Sequence, residues 1–163
     1  MKKLLFLFLF IPLISFSQDL FFMGGESFIS TESIVLKSET YGENLTILFA
    51  RGGNTKYIVV QRESTLNYKF SGKLNIYLSN GWVITLLEPS ATDYVNKTSI
   101  GMFVLKWGDI YNLGNNNIHS IGYTLKRFDS TEKFSAKNID FESTQLLKQI
   151  KGFYSETKSL DDY

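Results

Sequence analysis

The chain has 163 residues, a formal net charge of +1, 44% hydrophobic residues, one histidine and no cysteine. Near-neutral charge gives no electrostatic pull toward nucleic acid or an anionic membrane. The missing cysteine excludes disulfides, thiolate metal sites and a cysteine nucleophile, so a hydrophobic core must hold the fold together, and the length suffices for one domain.

The N-terminus reads MKKLLFLFLFIPLISFSQ. Lys2 and Lys3 form a short positive region. Leu4 to Phe16 is an apolar stretch broken only by Pro12 and Ser15, and Ser15 and Ser17 frame a cut before Gln18 or Asp19. That layout predicts a secretory signal peptide over residues 1–18. A bilayer span needs about 20 apolar residues, more than this stretch offers. No cysteine follows it, so the lipid anchor of bacterial lipoproteins has no attachment point. The two leading lysines and the short stretch point to bacterial export, to the periplasm or the cell exterior. About 145 residues remain, with a charge of about −1 once both lysines are gone and no later apolar run long enough to span a membrane as a helix.

The remainder reads mostly as strands, rich in β-branched and aromatic residues with turn signals every eight to twelve residues. SFISTESIVLKSE (27–39) supplies one or two strands. NLTILFA (44–50) and TKYIVVQ (55–61) form a hairpin. With Gly52-Gly53 as its turn, Ile47 faces Ile58 and Leu45 faces Val60, while Leu48 and Tyr57 share the other face. Both faces then carry apolar side chains and both are expected to be covered. LNYKF (66–70) is another alternating run, broken at Ser71-Gly72 by a turn or bulge. KLNIYLSNGWVITL (73–86) carries Asn80-Gly81, the preferred pair for a type I′ turn. In that register Leu78 faces Val83, Ile76 faces Thr85 and Leu74 faces Leu87. PSATDYVNKTSI (89–100) reads as a polar loop, and GMFVLKW (101–107) as a strand. GDIYNL (108–113) reads as one helical turn closed by Gly114. IHSIGYTLKRF (118–128) is a strand and DSTEKFSAKN (129–138) a hairpin or loop. IDFESTQLLKQIKGFY (139–154) is the clearest helix, with Leu146, Leu147, Ile150 and Phe153 or Tyr154 at helical spacing. Residues 155–163 are expected to fray. One domain over 19–154 follows. Its expected class is α+β, mainly antiparallel sheet with a short helical turn near 108–113 and a C-terminal helix; a β-sandwich or a partly closed barrel plus helix is the alternative.

Catalytic patterns are scarce. A Ser-His-Asp arrangement would have to use His119, with Asp109 or Asp129 as its orienter, and no nucleophile-elbow motif accompanies it. Two carboxylates of a glycosidase could be drawn from Glu26, Glu32, Glu39, Glu43, Glu63, Glu88, Asp93 and Asp109, but nothing singles out a pair. No calcium loop, dinucleotide fingerprint or phosphate loop is present, so no cofactor or metal is expected. Arg51 and Lys56 flank one turn, which reads as a solvated hairpin end. Aromatic residues are abundant, and Trp82, Tyr77 and Trp107, with Asn80 at the turn, are the candidate ligand- or partner-binding residues. Against that, strands favour aromatics and cores absorb them, so Trp82 is expected to pack and Trp107 more so.

The stretch FVLKWGDIYNLGNNNIHSIGY (103–123), taken with KLNIYLSNGWVITL and a closing helix rich in Lys, Leu and Ile, resembles a module of small exported Bacteroidota proteins of unknown function. The resemblance covers about half of the exported part. Members of that group often carry Thr or Ser before the short helical turn, where Lys106-Trp107-Gly108 stands here. It implies an exported, single-domain α+β protein and brings no active residues. The expectation is a non-enzymatic binding or interaction module of the cell envelope with a protein or glycan partner. An inhibitor or immunity-type protein, or a small glycan-active hydrolase using paired carboxylates, is the alternative.

Overall fold

The computed structural model describes residues 19–38, 44–137 and 150–154. They form the expected antiparallel sheet. In chain order the strands are β1 (Asp19–Met23), β2 (Glu26–Ser30), β3 (Ile34–Ser38), β4 (Leu45–Gly52), β5 (Thr55–Glu63), β6 (Lys69–Phe70), β7 (Leu74–Leu78), β8 (Val83–Leu86), β9 (Ala91–Val95) and β10 (Thr98–Leu105). Helix α1 (Trp107–Asn115) follows, then β11 (Ile118–Arg127) and β12 (Ser130–Lys137). Residues 150–154 are helical. Residues 1–18, 139–149 and 155–163, to which the signal peptide, most of the closing helix and the tail were assigned, lie outside the described residues.

The strands run side by side as β8-β7-β11-β12-β3-β4-β5-β10-β9. Strands β2 and β3 lie end to end along β4, with Thr31 at the join. The Thr31 N–H donates to the Phe49 carbonyl (2.9 Å), and its hydroxyl oxygen accepts the Phe49 N–H (3.1 Å). The sheet curls into a half-barrel around a core that includes Leu45, Ile47, Phe49, Ile58, Val60, Ile76, Phe103, Ile121 and Leu125. Each such side chain stabilises the fold by about 1.5–3 kcal/mol relative to exposure. Strand β6 draws the two limbs together. It pairs with β11, and the Ser99 hydroxyl of β10 donates to the Tyr68 carbonyl just before it (2.7 Å). Glycine at position 101 makes this approach possible, because a Cβ there would lie 2.7 Å from Phe70 Cβ.

A second, smaller core lies on the outer face. The β1–β2 hairpin folds Phe21, Met23 and Phe28 onto Leu48, Ala50, Val59 and Met102. The expectation that both faces of the β4–β5 hairpin are covered therefore holds. The DLFFM strand was not anticipated from the sequence. Gly24 and Gly25, which turn it back, are both at positive φ.

Several local expectations change. In β4–β5 the turn falls on Gly53-Asn54, so Ile47 faces Val60 and Phe49 faces Ile58. The slide is by two residues in partner, so the faces stay as expected. In β7–β8 the turn is a three-residue loop, Ser79-Asn80-Gly81. Gly81 is at φ +86, its N–H donates to the Leu78 carbonyl (3.0 Å), and the Leu78 N–H donates to Trp82 (2.8 Å). A type I turn followed by one left-handed glycine replaces the two-residue type I′ turn. Ile76 then faces Ile84 and Leu74 faces Leu86.

The expected polar loop at 89–100 is instead most of a hairpin. Val95 faces Thr98, and Asn96 and Lys97 both take positive φ (51° and 63°), as a type I′ turn requires. Of the 66–70 run, only Lys69–Phe70 pairs as a strand, and 130–137 is a full strand. Helix α1 starts at Trp107 and runs through Gly114. That glycine is buried 3.7 Å from Lys151 and 4.0 Å from Ile150, measured from where its Cβ would stand, and so packs against the 150–154 helix instead of ending α1. Among the described residues, no helix is long and apolar enough to cross a membrane.

Candidate functional site

The outer face of β7, β11 and β12 holds an open groove of about 710 Å³. Strand alternation builds it. Ile76, Ile121 and Phe134 turn inward, so Asn75, Gly122 and Ser135 form a row across the three strands on the outside. Thr124 faces Lys133 in the next row, with Lys73 just ahead of β7. On the other side of the Gly122 row, Tyr77 stands opposite Ser120. Gly122 carries no side chain in this floor and is half-buried; a Cβ there would stand 3.5 Å from the Tyr77 ring edge and 3.9 Å from both Asn75 and the Phe134 carbonyl.

His119 reaches the groove through a β-bulge. Ile118 pairs with Leu78 and Ser120 with Tyr77, so His119 is the extra residue on β11. The bulge keeps Ile118 and Ile121 buried while placing His119 outside, the re-aiming of a side chain that bulges provide. The proposed catalytic partners of His119 are elsewhere. Asp109 accepts the Lys106 N–H (2.9 Å) at the start of α1. Asp129 lies in the turn at the far end of β11, about 30 Å along an extended strand.

The groove lining contains two lysines and no Asp or Glu, so a pair of hydrolytic carboxylates is not built there. The neighbouring carboxylate of β12, Glu132, accepts a hydrogen bond from the Tyr68 hydroxyl (2.9 Å). That bond, with burial second, pushes the Tyr68 ionisation above its ordinary value. The Asn75 amide oxygen accepts the Thr85 hydroxyl (3.0 Å), which leaves the amide N–H groups as the donors this residue offers.

Of the residues singled out from the sequence, Tyr77, Asn80 and Trp82 belong to one hairpin. Tyr77 lines the groove and is 40% exposed. Trp82 is 62% exposed, so the expectation that it packs is corrected. Trp82 closes the three-residue loop opposite Leu78, at the tip of the hairpin, with its ring left in solvent. Asn80 shapes the tip, its side-chain oxygen accepting the Trp82 N–H (3.0 Å). Trp107 is 71% exposed and not in the core. It is the first residue of α1, one turn from Tyr111, and the two rings stack at 5.8 Å and 16°. It does not line the groove. α1 ends beside the β7–β8 tip, where the Ser79 N–H donates to the Asn117 carbonyl (2.8 Å). The groove residues missed include Lys73, Asn75, Ser120, Gly122, Thr124, Lys133 and Ser135. An isolated glycine inside the alternating IHSIGYTLKRF run was the available signal, since glycine in a strand marks a close approach or a gap.

No protein-family model, curated protein or solved structure matches the chain.

Proposed function

We propose that the protein is an exported, non-enzymatic binding module of the bacterial cell envelope, and that it binds through the outer face and tip of the β7–β8 hairpin. The observation that carries this reading is the exposure of Trp82 at the tip of the hairpin whose Tyr77 lines the groove. Tryptophan and tyrosine dominate binding energy at protein and ligand surfaces, and a folded chain gains little packing from a tryptophan left in water. The signal-like N-terminus supports export, and the absence of carboxylates from the groove lining favours binding over glycan hydrolysis there. The same exposed tip also suits an inhibitor, with Trp82 inserted into another protein's site.

The test is capture from envelope and culture fractions of the source bacterium on immobilised protein. Wild type is compared with Trp82→Ala, Tyr77→Ala and, as a control, Val104→Ala, an exposed residue of β10. Capture of one stoichiometric protein or glycan component that falls in the first two variants and not in the third supports the reading. Equal capture by all four, or none by any, contradicts it.

A further inference from the structure

The geometry points to an anionic oligosaccharide, bearing carboxylate or sulfate groups, as the ligand of the β7–β11–β12 groove; this rests on the binding reading above and gives its chemical class. Charge is the first reason. Lys73 and Lys133 are both exposed, no carboxylate lines the groove with them, and neither is in an ion pair among the described residues. Lys133 is on β12 and Lys73 immediately precedes β7, so they flank β11 on strands whose backbones stand about 10 Å apart.

Shape and hydrogen bonding are the second and third reasons. The groove runs from the Lys73–Thr124–Lys133 end past Asn75, Gly122 and Ser135 to Tyr77 and His119. Outward residues on one strand repeat every ~7 Å, so its length is about 14 Å or more. That suits a chain of linked rings better than a single small anion. Amide, hydroxyl and imidazole groups line it throughout and match a ligand dense in hydroxyls. The half-exposed Tyr77 ring, its edge lying against Gly122, gives the groove one aromatic surface on which a sugar ring packs.

Other anionic ligands fit less well. Single-stranded nucleic acid is held by rows of stacking aromatics and many cations, and the exposed groove side chains here include one aromatic and two lysines. An acidic peptide adding as a strand needs a free sheet edge, whereas β11 at the groove centre is paired on both sides.

The experiment is titration calorimetry of the purified protein with tetragalacturonate, a chondroitin sulfate tetrasaccharide, neutral maltotetraose, oligothymidylate and phosphatidylglycerol vesicles. The expected result is that at least one acidic probe binds about tenfold or more tighter than maltotetraose, with affinity falling as salt rises. The two acidic arms separate carboxylate from sulfate recognition. Lys73→Glu with Lys133→Glu changes only exposed side chains and is expected to weaken that binding at least tenfold. Gly122→Ala adds a methyl at ordinary contact distances, so it is expected to fold normally and still lose affinity several-fold. Equal binding of maltotetraose, unchanged affinity in the double lysine variant, or tight binding only to phosphatidylglycerol vesicles or oligothymidylate overturns the assignment. If no acidic probe binds but Trp82-dependent capture persists, the ligand class fails and the binding module stands. If that capture is also absent, both fail.

Discussion

The β4–β5 and β7–β8 hairpins are both built from apolar strands around a glycine-bearing turn, yet they are covered differently. β4–β5 is sandwiched, with the barrel core on one face and the β1–β2 hairpin on the other. β7–β8 is covered on one face only. Leu74, Ile76, Leu78, Ile84 and Leu86 are buried while Tyr77, Val83 and Leu87 are exposed. Displacing the β4–β5 turn by one position left every residue on its expected face. The extra loop residue in β7–β8 reversed the faces of β8. A strand covered on both sides has a packing role at every position, whereas a strand covered on one side leaves half its residues free to meet something else. The exposed side chains of β7–β8 and the neighbouring groove are therefore where binding is sought.

The largest expected effect lies in the sandwiched hairpin. Phe49→Ala, at a fully buried position, is expected to cost about 3–5 kcal/mol, measured by urea unfolding. A cost near zero would mean the core is not packed as described. The next contrast tests the β8 faces directly. Ile84→Ala, 5% exposed, is expected to cost about 2–4 kcal/mol, and its neighbour Val83→Ala, 49% exposed, under about 1 kcal/mol. The reverse order would restore the two-residue turn.

A third prediction concerns the inner side of β4–β5, where Tyr154 is buried. Its ring meets Phe49 edge-on and its hydroxyl donates to the Tyr57 carbonyl (3.3 Å). Burial pushes its ionisation well above the ordinary tyrosine value of 10.0. The folded chain thus keeps a proton that the unfolded chain loses, and stability falls as pH rises past about 10, by about 1.4 kcal/mol per pH unit from this group. Unfolding free energies measured from pH 9 to 11.5 should show that slope, and Tyr154→Phe should reduce it. An unchanged slope in the variant would assign the alkaline loss to other groups. The smallest stability effect belongs to the exposed hairpin tip. Trp82→Ala is expected to shift stability by no more than about 0.5 kcal/mol in the same unfolding assay, and a loss above about 2 kcal/mol would make Trp82 a packing residue after all.

The fold class was legible because alternation and turn residues recur along the whole chain, and the GGN and NGW turns both lie where hairpins form. Register was not. In VITLL every residue but the threonine is apolar, so the pattern accommodates either face and only the turn conformation chooses. The polarity of PSATDYVNKTSI concealed β9 because that strand is only partly covered, all but its last residue being half-buried. Of the site, Tyr77 and Trp82 were visible as residue types. The lysines, hydroxyls and Gly122 come from three strands and share a face only once β7, β11 and β12 are aligned. His119 was visible, but its bulge depends on a register that the sequence does not display.

The most direct test of the binding face is a set of backbone amide NMR spectra recorded during titration with tetragalacturonate. Shifts are expected to concentrate on Asn75, Tyr77, Gly122, Thr124 and Lys133, with the β4–β5 amides from Ile47 to Val60 unmoved. Shifts confined to β4–β5 and β10, or no shifts at saturating sugar, would contradict it.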